Sequence, residues 1–209
     1  MSMKSARGPL LAFVLVFALA ACGQPQEQAK GKQDEAFPVV LAPDVNTRIG
    51  PDGAAGISNA LPMDIAAIRQ AAANFVVEEK AAQIEGQPYT AIALSAGDEE
   101  VFRLLPTADG RHIHAIVTTS SQARGPLQDI VGVTLFGTAP AEETEVCLAE
   151  SVGGAPGFAC STAEDGRFWR VYKLPEGYDG PSDPFDAIDP DVLHDAELVE
   201  MRWIAPRVR

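Results

Sequence analysis

EVFRLLPTADGRHIHAIVTT, residues 100–119, is the stretch whose pattern decides the fold class. Glu100–Leu105 and Arg111–Thr119 each have the length and composition of a strand. In the second, Ile113, Ala115 and Val117 fall on one face by the two-residue period. Thr107-Ala108-Asp109-Gly110 lies between them, a turn with Gly110 placed for positive φ. Strands joined by so few residues run antiparallel, because a parallel pair needs a crossover of about a dozen residues.

Working outward, Tyr89–Leu94 reads as the strand before this pair. Further on, Glu145–Glu150 and Gly157–Ser161 flank a flexible loop, Gly153-Gly154-Ala155-Pro156-Gly157. Asp165-Gly166 turns the chain into Arg167–Leu174. A long Asp-, Pro- and Gly-rich loop runs from Pro175 to Pro190, and Asp189 caps a short helix with Pro190 at its first position. Glu197–Ile204 reads as the last strand, with Leu198, Glu200 and Arg202 on one face and Val199, Met201 and Trp203 on the other. The clearest helix begins near Leu61-Pro62. Leu61, Ile65, Ile68, Ala72 and Phe75 follow steps of four and three and draw one apolar stripe, and Asp64 sits in its first turn. Ile65 and Ile68 are expected to face a sheet and Arg69 to face outward. Helices do not alternate with strands, which argues against parallel winding. The expected fold class is α+β: a mainly antiparallel sheet with one principal amphipathic helix packed on one face.

The N-terminal end has a different character. Lys4 and Arg7 precede an unbroken apolar run, Leu10–Ala21, which Leu19-Ala20-Ala21-Cys22 closes. The run is close to the length of a signal h-region and shorter than the roughly 20 residues of a spanning helix. It resembles a bacterial lipoprotein signal with its lipobox, in which Cys22 is acylated. An ordinary secretory signal is the rival, since Ala18-Leu19-Ala20 also satisfies the small-x-small rule. Several acyl chains on one cysteine hold far more firmly than one. In lipoproteins of the enterobacterial type, Asp after the cysteine marks inner-membrane retention. Gly23 stands there, so the resemblance implies the outer membrane, on its periplasmic face. The expected organisation is a signal peptide at 1–21, a flexible tether at 22–36 that is polar and poor in large apolar residues, and a single globular α+β domain at 37–209.

The chain has 29 acidic and 16 basic residues, a net charge of −13. Lys4 and Arg7 are the only charges in the leader, so the charge from Cys22 onward is −15. Such a surface repels nucleic acid and anionic lipid headgroups, and no nucleic-acid partner is expected. The cysteines after Cys22 are Cys147 and Cys160, thirteen positions apart, and in an oxidising compartment they read as one disulfide. A metal pair is the rival, without C-x-x-C spacing or a nearby histidine to support it.

Candidate chemistry is sparse. His112 and His114 are spaced as strand neighbours on one face, about 6.6 Å apart, and could share a metal. The plainer reading leaves both imidazoles in solvent opposite Ile113, Ala115 and Val117. Glu176, Asp179, Asp183, Asp186, Asp189 and Asp191 crowd one loop and could hold Ca²⁺, but the loop lacks the EF-hand pattern. Paired carboxylates for glycoside cleavage cannot be picked from so many acids. Ser120 and Ser121 lie near a strand end without a G-x-S-x-G elbow. Phe168, Trp169, Tyr172 and Tyr178 are a candidate recognition surface, with half of them in the core as the bland alternative. No catalytic residue is assigned, and no cofactor is expected.

Taken in order, these features resemble a family of sigma-E-regulated outer-membrane lipoproteins whose domain has no assigned function. The matching residues are Asp52-Gly53-Ala54-Ala55-Gly56, the Pro62 helix, Gly132-Val133-Thr134-Leu135, the Cys147/Cys160 pair, Pro190–Leu193 and Arg202-Trp203-Ile204. The likeness covers about Gly50 to Ala205. It departs at Gly137 and Pro140, which weaken the helix that the family has before its first cysteine. The expectation for function is a lipid-anchored, non-enzymatic accessory or binding module whose partner is an envelope protein or a cationic peptide. The alternative is an envelope hydrolase or metal-binding protein using His112, His114 and acidic residues.

Overall fold

The computed structural model describes residues 45–84, 86–138, 146–163, 166–181 and 188–207. The leader, Cys22 and the tether lie outside them. Among the described residues no helix is long and apolar enough to cross a membrane. After two short paired strands, β1 (Ile49–Gly50) and β2 (Gly53–Ala54), comes helix α1 (Ile65–Ala71). Strands β3 (Val76–Ile84), β4 (Gln87–Ala96), β5 (Glu99–Pro106) and β6 (Ile113–Thr118) follow. Beyond a crossover with a 3-10 turn at Phe136–Thr138 are β7 (Val146–Val152), β8 (Ala155–Ser161), β9 (Phe168–Lys173), helix α2 (Pro190–His194) and β10 (Glu197–Ile204).

Strands β3 to β10 form one eight-stranded antiparallel sheet in the order β3-β4-β5-β6-β10-β9-β8-β7. It is built from two four-strand meanders whose last strands, β6 and β10, pair at the centre. The expected hairpin of residues 100–119 is present, and Gly110 has φ 72°. In its turn the Asp109 carboxylate accepts from the Thr107 hydroxyl and the Arg111 N–H, which hold it below the usual carboxylate range. The Gly153 loop is tighter than its composition suggests. Gly153 and Gly154, at φ 59° and 85°, make a two-residue turn, and the strand resumes at Ala155. Two consecutive positive φ values match the twist of the flanking strands.

The sheet carries most of the structure, and helix is scarce. Helix α1 has seven residues and starts at Asp64, whose side chain accepts from Ala67 N–H at 2.9 Å. Pro62 lies before it and bridges to His112. Ile68 and Ala72 are buried, Ile65 is half-buried, and Phe75 continues the stripe past the helix end to meet Phe102 edge-on at 5.9 Å. Arg69 is not idle: its Nη2 donates to Val77 O at 3.2 Å and ties the helix to β3. Helix α2 begins as the sequence indicates, with Pro190 in its first turn and Asp189 accepting from Asp191 N–H at 2.9 Å.

One row of buried side chains crosses five strands: Ile92, Leu104, Ile116, Trp203 and Phe168, each opposite the next in register. Ile116 is therefore central to the core, whereas Val117 is half-exposed. The simple alternation through Ile113, Ala115 and Val117 fails because a register shift between β5 and β6 at Leu105/Pro106 sets Ile113 with Ile116 on the core face and leaves Ala115 and Val117 on the other. The pattern in β10 is shifted too. A bulge between Leu198 and Glu200 brings Leu198 onto the core face with Met201 and Trp203, and leaves Glu200 and Arg202 on the other. An extra residue in one strand reverses its alternation at that point.

The crossover is held against this core face by charge. Arg170 on β9 donates from Nε and Nη2 to Asp129 Oδ2, at 3.1 and 2.8 Å, with only 3% and 4% of the two side chains exposed. The guanidinium also lies 4.9 Å from the centre of the Phe168 ring. Gly125 makes room for the carboxylate, since a Cβ there would stand 2.4 Å from Asp129 Oδ2.

Asp129→Ala should cost about 3–5 kcal/mol, because it strands a buried guanidinium. Adding Arg170→Met should recover part of that loss. Chemical unfolding of the three variants checks both statements; a double variant as weak as the sum of the singles contradicts them. Ile68→Ala should cost about 2–4 kcal/mol, and Arg69→Ala about 1 kcal/mol through the lost bond to Val77.

Candidate functional site

The face of the sheet opposite the core is the surface on which charged and aromatic side chains collect. Arg103, Val117, Arg202 and Trp169 stand in one row across β5, β6, β10 and β9, each facing the next in register. Arg103 is exposed and the other three are half-buried. Small residues beside the row, Ala93, Ala115, Ala159 and Val171, are buried on the same face. The bulge in β10 generates this site. It directs Glu200 and Arg202 outward together while keeping Leu198 and Trp203 in the core.

Charges link the row into a network. Arg202 Nη1 donates to Glu150 Oε2 at 3.1 Å, its Nη2 donates to Glu150 Oε1, and its Nε donates to Glu200. Glu150 lies on β7 at the sheet edge, so this two-pronged bond reaches from the centre of the sheet to its rim. Burial pulls the Arg202 pKa down, but the bonds and charges of Glu150 and Glu200 outweigh it and hold the group above its ordinary value. Arg103 Nε donates to Glu100 Oε1 at 2.7 Å, and this bond raises the Arg103 pKa against a smaller opposing effect of burial. Trp169 Nε1 donates to Gly166 O at 2.9 Å, which fixes the indole. The arrangement is a surface of one aromatic ring, two arginines and three carboxylates whose hydrogen bonds are already made. The carboxylates serve as acceptors for arginine.

The four aromatics expected at a recognition surface separate. Phe168 and Tyr172 are core residues. Phe158 stacks on Tyr172 at 5.4 Å, and Phe136 meets both edge-on at 5.2 Å. Trp169 is on the open face. Tyr178 packs part-buried against the core edge and donates to Pro181 O at 2.8 Å. Alternation along β9 accounts for the split.

His112 and His114 have no third ligand: among the described residues no three His, Cys, Asp or Glu side chains gather as a metal site. His112 is half-buried and its backbone is bound to Thr107, while His114 is exposed. His194 stacks over Gly137 instead, where an added Cβ would lie 2.0 Å from its Cδ2. Of the acidic loop, Asp183 and Asp186 lie outside the described residues, Asp189 caps α2, and Glu176, Asp179 and Asp191 are exposed. Ser120 donates to Glu99 and accepts from Gln122 N–H at 3.0 Å, a turn-closing pattern, and Ser121 is exposed. Cys147 and Cys160 are directly opposed on β7 and β8 and form a disulfide, with Cα atoms 4.1 Å apart. Sequence reasoning missed Glu150, Arg103 and the outward turn of Arg202. The bulge that exposes Arg202 left no mark in composition.

No family model matches the chain, and no curated protein matches it either. Among solved structures, the chain is similar to the uncharacterized protein yfeY from Escherichia coli, at 16% identity and a TM-score of 0.54. The match covers 75% of this chain and 99% of that one. At that identity the likeness concerns the fold.

Loss of the Cys147–Cys160 bridge should lower stability by roughly 3 kcal/mol in the chain-entropy model. Because the bridge closes only the β7–β8 hairpin, the damage should stay local. Hydrogen exchange of the Cys147→Ser/Cys160→Ser double variant should speed up in β7 and leave β4 and β5 protected; uniform acceleration would contradict this.

Proposed function

We propose that this chain is a lipid-anchored lipoprotein of the bacterial envelope, held through Cys22 on the periplasmic face of the outer membrane. There it serves as a non-enzymatic accessory or binding module. The observation that carries the binding role is the open row of Arg103, Val117, Arg202 and Trp169, with its carboxylate partners already in place. Polar groups fixed before a ligand arrives lower the ordering cost of binding. The envelope location is supported by the lipobox and by the Cys147–Cys160 disulfide, a bond that persists in oxidising compartments. The likeness to the sigma-E-regulated lipoproteins adds regulation by envelope stress. A formal charge of −15 from Cys22 onward favours an envelope protein or peptide of basic character as partner.

Two measurements test this. Cys22→Ser should release the protein from outer-membrane fractions or stall its processing. A mature variant that still fractionates with the outer membrane contradicts the anchor. For the binding role, crosslinking in intact cells with the tethered protein as bait should capture a partner that Trp169→Ala and Arg202→Ala lose, while His112→Ala, His114→Ala and His194→Ala keep it. Abolition at one histidine, with the fold intact by circular dichroism, would instead favour metal-dependent or hydrolytic chemistry, because a general base needs a positioned partner.

A further inference from the structure

A cavity of about 280 Å³ lies between the β1–β2 hairpin and the start of the crossover, walled by residues 48–53 and by Arg124, Gly125 and Pro126. A second, of about 200 Å³, shares Arg48, Asp52 and Gly53 with it. Arg48 and Arg124 are neighbours across a parallel bridge, with Arg124 N–H donating to Thr47 O at 2.9 Å and Ile49 N–H donating to Arg124 O at 3.0 Å. That pairing sets the two arginine backbones at the separation of adjacent strands, about 4.8 Å, with their side chains leaving on the same side. Like charges placed so are unfavourable. Arg103, Arg111, Arg170 and Arg202 each have a carboxylate within ion-pair distance. Among the described residues Arg48 and Arg124 have none; Arg69, Arg167 and Arg207 also lack one, but Arg48 and Arg124 are paired with each other across the bridge. Arg124 Nη1 donates to Ser121 O and Ala123 O, which fixes that side chain.

Two arginines adjacent across a bridge and lining one cavity, neither with a carboxylate partner among the described residues, concentrate positive charge that an anionic ligand would neutralise. We propose that this cavity is an oxyanion site that takes a phosphate group, with Arg48 and Arg124 as its ligands. Guanidinium donors match phosphate oxygens in pairs, and a phosphate monoester carries about −1.5 to −2 near neutral pH, the charge of two arginines reversed. Asp52 also borders the cavity and opposes the binding, so its carboxylate limits affinity. The site is independent of the lipoprotein reading. The phosphate could belong to a free ion or to a lipid headgroup.

The full-length protein in nonionic detergent is titrated calorimetrically with inorganic phosphate, and separately with glycerophosphoethanolamine, a soluble diester headgroup. Arg48→Ala is the clean variant, because its guanidinium makes no bond among the described residues and its thermal midpoint should match the wild type. Binding of either probe, weakened about tenfold or more by Arg48→Ala and strengthened by Asp52→Asn, supports the site. Tighter binding of inorganic phosphate assigns it to the free ion, and tighter binding of the diester assigns it to a headgroup. The proposal is overturned if neither probe binds, or if binding is indifferent to both substitutions.

Discussion

The buried bond between Arg170 and Asp129 is the constraint on which the arrangement of this domain turns. Among its described residues, the crossover joining the two meanders has little regular structure, and its apolar contribution to the core is small: Ala123, Val131 and part of Phe136. Alone it would hold weakly against the sheet. A carboxylate carried by that segment and a guanidinium carried by β9 must find each other, because neither is tolerated unpaired away from water. The pair need not add much net stability. It excludes placements of the crossover that leave the charges apart, and so fixes which part of the chain covers the second meander.

With the crossover fixed, the two faces of the sheet take different roles. On one, Ile92 to Phe168 form an uninterrupted apolar row, and Trp203 within it also donates to Pro51 O at 3.3 Å, drawing the N-terminal hairpin down. On the other, the same strands present arginine, glutamate and indole. A single bulge in β10 sorts residues between these faces. The central strand thus supplies both the largest core side chain and the cation that organises the open surface.

Much of the sheet could be read from the sequence. The hairpin of residues 100–119, the start of α2 and the Cys147–Cys160 pair all follow from local rules: alternation, turn chemistry and cysteine spacing. Other features could not be read there. Strand β3, Val76–Ile84, carries Glu78, Glu79 and Lys80 and two alanines, a composition that suits a helix. It becomes a strand because it pairs along its whole length with β4, and at the sheet edge its charges discourage pairing with other chains. The apolar stripe around Ile68 was legible, yet the helix stops at Ala71 and the stripe continues in non-helical chain. Arg202 and Glu150 are 52 residues apart, and Asp129 and Arg170 are 41 apart. Only the assembled sheet brings such partners together, so periodicity has no means of announcing them.

The central position of β10 has a consequence in time. As the chain emerges in order, β3 to β6 can pair as soon as they are made, but the free edge of β6 waits for residues 197–204, which follow the whole of β7 to β9. Until then a partly formed sheet exposes an apolar strand edge, the kind of surface through which immature chains associate. The closing step also joins segments about eighty residues apart, which is slow in proteins dominated by distant contacts. Completion of the sheet therefore waits for β10, and any chain cut short before Glu197 keeps β6 open.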